Sequence, residues 1–314
     1  MKIREGVKVK QIDRYLGCLL GLACGDAVGT ANEFRPRDTF TPIADMVGGG
    51  PYSLEPGQWT DDTSMALCLA ESLLVSKGFD PLDQMERYYR WYREGYFSST
   101  GSFFDIGNTV RSALMRYKKT GEPYSGSTDP FTAGNGSIMR LAPVPMFYLS
   151  DLKQVAHYSG ESSKTTHGTA EAVDACKLFG LMIAHALLGN VKDEILVNEF
   201  TPYLGNEELS PLVQYLTMAY YRQKEYDRLK GTGYVILSLQ AALWCFDQSS
   251  SFSEAVLLAA NLGEDADTTA AVCGQIAGAY YGIGDIPQSW LSKLAKRELI
   301  ENFADRLYHE RPVV

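Results

Sequence analysis

Two segments of this sequence, residues 170–188 and 269–281, are apolar around nearly their whole circumference when placed on a helix. Ala, Gly, Leu, Met and Cys supply most of their positions. A helix of this kind has no face that favours water, so other elements of the fold must surround it. The two segments therefore predict two central helices of a helical bundle.

The remaining periodic segments also favour helices. No run of alternating apolar and polar residues is long enough for a large sheet, and clusters of Gly and Pro mark loops between the periodic segments. We therefore expect one compact all-α domain over residues 1–314. The strongest predicted helices are residues 12–27, 64–76, 81–94, 106–119, 169–188, 211–222, 234–246, 253–262 and 268–281.

The first predicted helix carries Gly17, Gly21 and Gly25 at every fourth position. These residues lie on one stripe, and their small size lets another helix come close. The basic N-terminal stretch followed by "YLGCLLGLAC" also resembles a secretion signal. Asp13 interrupts the basic region, and Gly21 stands where a lipoprotein signal has a larger aliphatic residue. We therefore expect a helix of the fold rather than a leader.

Charge and cysteine content limit the partners that the protein can bind and the compartment in which it is expected. The net charge is −9 and no long basic run occurs, so binding to nucleic acid or to an anionic membrane is disfavoured. The six cysteines lie in apolar segments without a CxxC pair. This pattern is typical of buried, reduced thiols, and it predicts a cytoplasmic protein.

Two acidic clusters precede strongly apolar helices. The first is "TDDT", with Thr60, Asp61 and Asp62, and the second is "GEDADTT", with Asp265, Asp267 and Thr268. One interpretation is helix capping, because Asp and Thr accept hydrogen bonds from free backbone N–H groups. Capping employs only one or two groups of each cluster, however, and adjacent carboxylates repel each other. Two matched clusters in one chain therefore favour a different role.

A hard divalent cation would remove this repulsion. Mg²⁺ and Mn²⁺ prefer oxygen ligands, and the two clusters with a further carboxylate such as Glu33 can hold two ions. Zinc is disfavoured because the cysteines are scattered and only four histidines are present, and the ligand spacing of an EF-hand is absent. Two ions about 3.5–4 Å apart can share a bridging water. The residues alone thus predict a metal-dependent hydrolase acting on a phosphoester or a sugar.

Six motifs in order resemble the ADP-ribosylglycohydrolase family, over residues 16–284. They are "GCLLGLACGDAVGTANEF", "GQWTDDTSMAL", "FDIGNTVRSAL", "GNGSIMRLAPV", "SSKTTHGTAEAVDA" and "GEDADTTAAVCGQIAGAYYG". The resemblance implies an orthogonal helical bundle with a two-cation site, Mg²⁺ or Mn²⁺. The metal ligands that it implies are Thr60, Asp61, Asp62, Asp265, Asp267 and Thr268.

The resemblance also implies a catalytic group made of Asp105, Glu33, Asp61 and Asp267. Glu33 lies on a loop near the metals, and Asp105 lies beside the scissile bond, where it can hold a guanidinium leaving group or move a proton.

Substrate contacts follow from the same resemblance. Asn108 shares a motif with Asp105, and the glycine-rich loop with Asn135, Gly136 and Ser137 is expected to surround the diphosphate or the distal ribose, because glycine permits close backbone approach. Two further residues keep a structural alternative. His167 is either a helix cap or a pocket residue, and Tyr234 either stacks on the adenine or ribose or belongs to the core.

The implied reaction is hydrolysis of the bond at C1″ of ADP-ribose. ADP-ribosylarginine is favoured because Asp105 offers an anion to a cationic leaving group; ADP-ribosylserine and small ADP-ribose conjugates are alternatives. A dinuclear-metal phosphohydrolase and a non-catalytic ADP-ribose-binding protein also remain open. The partner is then an ADP-ribosylated protein or conjugate, with no nucleic acid and no membrane, and a monomer is favoured. Glu264 stands where the family commonly has glycine, and its side chain either points to solvent or alters metal affinity or substrate fit.

Overall fold

The computed structural model describes residues 9–197, 199–205 and 208–312. Within these ranges the chain is built from helices, and its only β-type pairings are isolated bridges. The all-α prediction is confirmed. The helices are α1 Gln11–Gly29, α2 Asp61–Ser76, α3 Pro81–Glu94, α4 Asn108–Thr120, α5 Pro143–Phe147, α6 Leu152–Lys164, α7 Ala170–Leu188, α8 Lys192–Leu196, α9 Thr201–Leu204, α10 Pro211–Thr217, α11 Val235–Gln248, α12 Phe252–Ala260, α13 Ala266–Tyr281, α14 Gln288–Lys293 and α15 Arg297–His309.

The two all-apolar segments become α7 and α13, and both are buried along nearly their whole length. Helix α13 packs against α1, α12, α11 and α7, while α7 packs against α6 and α5. The prediction of two central helices is therefore correct.

Helix α1 lies against α13 in antiparallel orientation, with glycine facing small residues along the contact. A Cβ atom on Gly21 would lie 2.3 Å from the carbonyl oxygen of Gly274, and one on Gly25 would lie 2.1 Å from that of Ala270. No side chain fits between the two backbones, so the glycine stripe has the role that its spacing predicts. As a result, the C-terminal end of α1 meets the N-terminal end of α13.

Two helices of substantial length, α6 and α15, were not predicted. Helix α6 contains a glycine and several serines, and its buried face includes Val155 and Ala156. Helix α15 is amphipathic and packs its apolar side on α1 and α2. Both helices are stabilised by tertiary packing rather than by a long apolar run. The helix predicted over residues 211–222 ends at Thr217, because Ala219 adopts a left-handed conformation before a short 3₁₀ turn.

All six cysteines are buried and form no disulfide. None of the helices in the described part of the chain has the length and apolarity that a bilayer crossing requires.

Candidate active site

The N-terminus of α2 is capped by a carboxylate from another helix. Asp26, buried in α1, accepts hydrogen bonds at Oδ1 from the backbone N and the Oγ1 of Thr60, both at 2.9 Å. Its Oδ2 accepts from the backbone N of Thr63 at 3.0 Å and from Thr63 Oγ1 at 2.6 Å. Asp26 therefore satisfies the helix end. Asp61 and Asp62 are left free for another role.

The N-terminus of α13 is fixed by α1 as well. A Cβ atom on Gly29 would lie 2.4 Å from both the carbonyl oxygen of Ala266 and the Cα of Asp267. Asp265 is the N-cap residue but makes no side-chain capping bond, and its Oδ2 instead accepts a hydrogen bond from Asn135 Nδ2 at 2.6 Å. One helix thus positions both acidic clusters.

The two clusters lie directly against each other. Thr60 Oγ1 is 3.3 Å from Asp267 Oδ2, and Thr268 Oγ1 donates to Asp62 Oδ1 at 3.3 Å. Neither N-cap residue, Thr60 or Asp265, uses its side chain to cap its helix. Helix capping by the side chains of Thr60 and Asp265 therefore does not explain why the hydroxyl and carboxylate groups lie together.

Glu33 and Asp105 complete the group from two loops. Glu33 follows the 3₁₀ turn Thr30–Asn32, and Asp105 lies before α4. One carboxylate oxygen each of Glu33, Asp105 and Asp267 lies within 4.8 Å of the others, in an arrangement that can hold a metal ion.

Burial and mutual repulsion raise the pKa of these carboxyl groups. The pKa of Glu33 rises to about 9, through burial and then the charges of Asp105, Asp265 and Asp26. The pKa values of Asp61, Asp62 and Asp267 are also well above their ordinary range, again mainly through burial.

None of the salt bridges among the described residues includes a carboxylate of the group. Within the acidic group, three buried oxygens have no hydrogen-bond partner: Glu33 Oε2, Asp62 Oδ2 and Asp267 Oδ1. Unpartnered buried anions are costly, and hard divalent cations bind such oxygens. The donor set therefore fits a metal centre.

The carboxylates form one wall of a cavity of about 670 Å³, a volume suited to a small ligand. The cavity is shared between the acidic group and the glycine-rich loop. Its lining includes these predicted site residues: Glu33, Asp61, Asp105, Asn108, Asn135, Gly136, His167, Asp265, Asp267 and Thr268.

The glycine-rich loop rests on His167. A Cβ atom on Gly136 would lie 2.8 Å from His167 Cε1, and the buried Arg140 donates to the carbonyl oxygen of Gly136 at 2.7 Å. Burial and the nearby Arg140 lower the pKa of His167 to about 3, so the imidazole is neutral. Because Thr169 is the N-cap residue of α7, His167 is not a helix cap, and it lines the cavity instead.

Two predicted substrate contacts lie apart from the cavity lining. Ser137 is buried and its Oγ accepts a hydrogen bond from Ser163 Oγ at 2.9 Å. The hydroxyl of Tyr234 donates to Glu171 at 2.7 Å. Neither residue is among those that line the cavity, and their roles in binding stay predictions.

Glu264 links the Glu33 loop to the second acidic cluster. Its carbonyl oxygen accepts from the backbone N of Phe34 at 2.6 Å, and its N–H donates to the carbonyl of Arg35 at 2.8 Å. The residue has a φ of +58°, which accounts for glycine at this place in the family pattern. Its exposed side chain lies at the cavity wall.

Sequence reasoning missed two residues of the site. Asp26 lies in the first of the six family motifs, but no sequence pattern indicates that it contacts the start of α2. Tyr52, whose hydroxyl donates to Asp105 Oδ1 at 2.6 Å, follows a glycine-rich loop and carries no periodic signal.

An all-helical fold with a buried acidic centre able to hold metal, opening on a cavity, defines an all-α protein with a candidate metal-dependent active site. The chain belongs to the ADP-ribosylglycohydrolase family, whose family model matches residues 8–313. It is 44% identical over 303 residues to "ADP-ribosylarginine hydrolase Tri1" of Serratia proteamaculans, an alignment that covers 96% of this chain and 81% of the relative.

Two further likenesses agree with this assignment. The "ADP-ribosyl-[dinitrogen reductase] glycohydrolase" of Rhodospirillum rubrum is 33% identical over 291 residues, covering 90% of each chain. A solved structure titled "ADP-ribosylglycohydrolase-related protein complex" superposes with a TM-score of 0.85 at 44% identity, covering 96% of this chain and 99% of that one. The predicted family and fold are therefore confirmed.

Proposed function

We propose that this protein is a metal-dependent hydrolase that removes ADP-ribose from modified arginine side chains. The observation that carries the proposal is the buried carboxylate group, with oxygens that have no hydrogen-bond partner, at the wall of a ligand-sized cavity. Relatives named ADP-ribosylarginine hydrolase, in Serratia proteamaculans and in Pseudomonas putida, each 44% identical to this chain, support arginine as the linked residue.

In this proposal two divalent cations, Mg²⁺ or Mn²⁺, are held by Thr60, Asp61, Asp62, Asp265, Asp267 and Thr268, with Glu33 nearby. When bound, such cations supply Lewis-acid stabilisation of oxygen atoms and orient hydroxyl groups. Residues on one side of the cavity bind the leaving group, and residues on the other side bind the rest of the substrate.

Asp105 holds the leaving group. Its carboxylate pairs with the guanidinium of the modified arginine, and it can take a proton from the attacking water and pass it to the departing nitrogen. Water adds at C1″ as the bond from C1″ to nitrogen breaks, so the products are ADP-ribose and an unmodified arginine.

The glycine-rich loop binds the other end of the substrate. Backbone N–H groups around Gly136 approach the diphosphate oxygens, since no Cβ blocks them. Asn108 and the neutral imidazole of His167 contribute uncharged polar contacts from the cavity wall. Uncharged donors can bind hydroxyl and phosphate oxygens without placing a positively charged side chain in the cavity.

A panel of Arg-, Ser- and Glu-linked ADP-ribosyl peptides, each assayed with Mg²⁺, with Mn²⁺ and with EDTA, tests the proposal. We expect release of ADP-ribose from the Arg-linked peptide with either metal and none with EDTA. Faster cleavage of another linkage would refute the assigned linkage. Release of phosphate without ADP-ribose would indicate a phosphohydrolase, and tight ADP-ribose binding without turnover would indicate a binding protein.

We also propose that the protein acts on its ADP-ribosylated partner in the cytoplasm, as a monomer. Six buried, unpaired cysteines support a reducing compartment. Light scattering coupled to gel filtration tests the oligomeric state, and a mass near 34.7 kDa is expected.

A further inference from the structure

Tyr52 contacts the carboxylate that faces the proposed leaving group. Its hydroxyl donates to Asp105 Oδ1 at 2.6 Å, and its ring packs on Phe104 with centroids 5.3 Å apart. A hydroxyl that donates to an ionised carboxylate forms one of the stronger hydrogen bonds in proteins. The bond therefore limits how Asp105 can turn.

The loop that carries Tyr52 is tightly closed. Gly49 and Leu54 pair through two backbone hydrogen bonds, N to O at 2.7 Å and 2.9 Å. Gly50 has a φ of +66°, and a Cβ atom there would lie 1.9 Å from the carbonyl oxygen of Thr30. The closed loop thus sits directly on the turn that leads to Glu33.

The two ends of the loop are anchored to α14. Asp45 accepts hydrogen bonds from Trp290 Nε1 at 2.6 Å and from Lys293 Nζ at 2.8 Å. On the other side, Gly57 lies so close to Lys293 that a Cβ atom would be 2.0 Å from its carbonyl oxygen. Because the loop is held at both ends, the tyrosine hydroxyl reaches Asp105 from a fixed position.

Asp105 needs such support because one of its carboxylate oxygens lies within 4.8 Å of carboxylate oxygens of Glu33 and Asp267, a crowding that does not by itself set its orientation. We propose that Tyr52 is a positioning residue for the hydrolysis. Its hydroxyl holds the Asp105 carboxylate against the leaving-group end of the substrate, in the orientation that the anchored loop sets. This inference rests on the proposed function, and it assigns Tyr52 to the step in which the bond to the leaving nitrogen breaks.

The test compares Tyr52→Phe, which removes only the hydroxyl, with the wild-type protein on an Arg-linked ADP-ribosyl peptide. We expect kcat to fall about tenfold to hundredfold, as for loss of one hydrogen bond to a charged group. The KM and the Kd for free ADP-ribose should stay within about twofold, because the lost contact acts on the transition state. A matching rise in KM and Kd with unchanged kcat would overturn the inference.

Tyr117→Phe is the matched control. The hydroxyl of Tyr117 also donates to a carboxylate, Glu86, at 2.6 Å, and neither residue lines the cavity. We expect its kcat to equal that of the wild type, and an equal loss in both variants would mean that Tyr52 acts only on stability.

A double-mutant cycle assigns the effect to Asp105. In an Asp105→Ala background, Tyr52→Phe should cause no further loss of kcat, and a full additional loss would show that Tyr52 acts elsewhere. A crystal structure of Tyr52→Phe gives a readout without activity. A carboxylate of Asp105 that has turned from its wild-type orientation supports the inference, and one that has not turned overturns it. If the wild-type protein cleaves no conjugate, the proposed function fails, and this crystal structure still decides the role of Tyr52.

Discussion

Asp26 differs from the other carboxylates of the centre because both of its oxygens are used by one helix end. Its four hydrogen bonds, from the N–H and hydroxyl groups of Thr60 and Thr63, leave the group without capacity for a ligand. Asp62 and Asp267, in contrast, each keep an oxygen with no partner. Neighbouring aspartates of the same charge thus divide into a structural one and potential ligands.

We predict that Asp61→Asn and Asp267→Asn each lower hydrolysis at least about a hundredfold, a typical loss when a group central to the transition state is removed. The fold should persist, because replacing an uncompensated anion relieves repulsion. Peptide cleavage with Mg²⁺ or Mn²⁺ and far-ultraviolet circular dichroism measure the two effects. Wild-type rates in either variant would refute the dinuclear assignment.

Asp105→Ala should retain ADP-ribose binding while turning over poorly. The substitution removes the group that faces the leaving nitrogen and leaves the glycine-rich loop intact. Calorimetric titration with ADP-ribose and steady-state kinetics separate the two properties. Full activity in this variant would exclude Asp105 from the chemistry.

The candidate site residues differ in how far the sequence predicts them. Asp61 and Asp62 stand out in the sequence because adjacent carboxylates repel each other, and the second cluster repeats the same pattern. The role of Tyr52 depends on a loop that folds back over Asp105, and that contact leaves no local signal. The side chain of Glu264 could not be placed beforehand, because its direction follows from a left-handed backbone conformation.

At the scale of elements, the contact between α1 and α13 builds the centre. Small residues along both helices let the backbones touch, and this close approach places the end of α1 beside the start of α13. The spacing of three glycines predicts the close approach, and the partner helix emerges only from the fold.

Gly25→Ala tests this contact. The added methyl group would meet the Ala270 carbonyl at 2.1 Å, so the helices must separate. We expect a loss of about 1–3 kcal/mol in the free energy of unfolding, the usual cost of overpacking, together with weaker metal binding. Urea denaturation and calorimetric metal titration measure both.

Gly284→Ala is the control for that substitution, because a Cβ atom there has no neighbour within 4 Å. It should change neither stability nor metal affinity. Equal stability of Gly25→Ala and wild type would contradict the idea that the glycine stripe sets the distance between the helices.

Most of the long helices were predictable, with α6 and α15 as the exceptions, and the shortest ones were not. The bounds that apolar periodicity predicts match those of α3 and nearly match those of α1, α7 and α13. Helices α5, α8, α9 and α14 each span one or two turns, too few for a periodic pattern to form. Their position is decided by packing on the long helices.

For the whole molecule, we propose that residues 1–314 form one domain. A single cluster of buried apolar side chains extends from α1 to α15, including Tyr15 and Leu307. The acidic centre lies where the first and last thirds of the chain meet, so global stability and metal binding are coupled.

We predict that the metal-free protein becomes less stable as the pH rises from 6 to 8. Folding raises the pKa of Glu33 from its ordinary 4.5 to about 9. Between pH 6 and 8 the folded state therefore binds a proton that the unfolded state does not. The stabilisation that this bound proton provides is lost as the pH rises, by up to about 3 kcal/mol between pH 6 and 8. Melting temperatures measured in EDTA at both pH values test this.

Saturating Mg²⁺ should reverse the effect, because a cation that binds only the folded, deprotonated centre stabilises it. In Glu33→Gln the fall between pH 6 and 8 should be smaller. A melting temperature in EDTA that rises with pH would contradict the assigned protonation of the centre.

The pairing of α1 with α13 has a consequence during synthesis. Asp26 and Asp267 are separated by most of the chain, and domains fold as their segments leave the ribosome. A nascent chain therefore carries α1 with its glycine-lined face uncovered until α13 has been made. The acidic centre can form only after α13 has left the ribosome, and a chain interrupted before that point leaves an apolar helix for chaperones to bind.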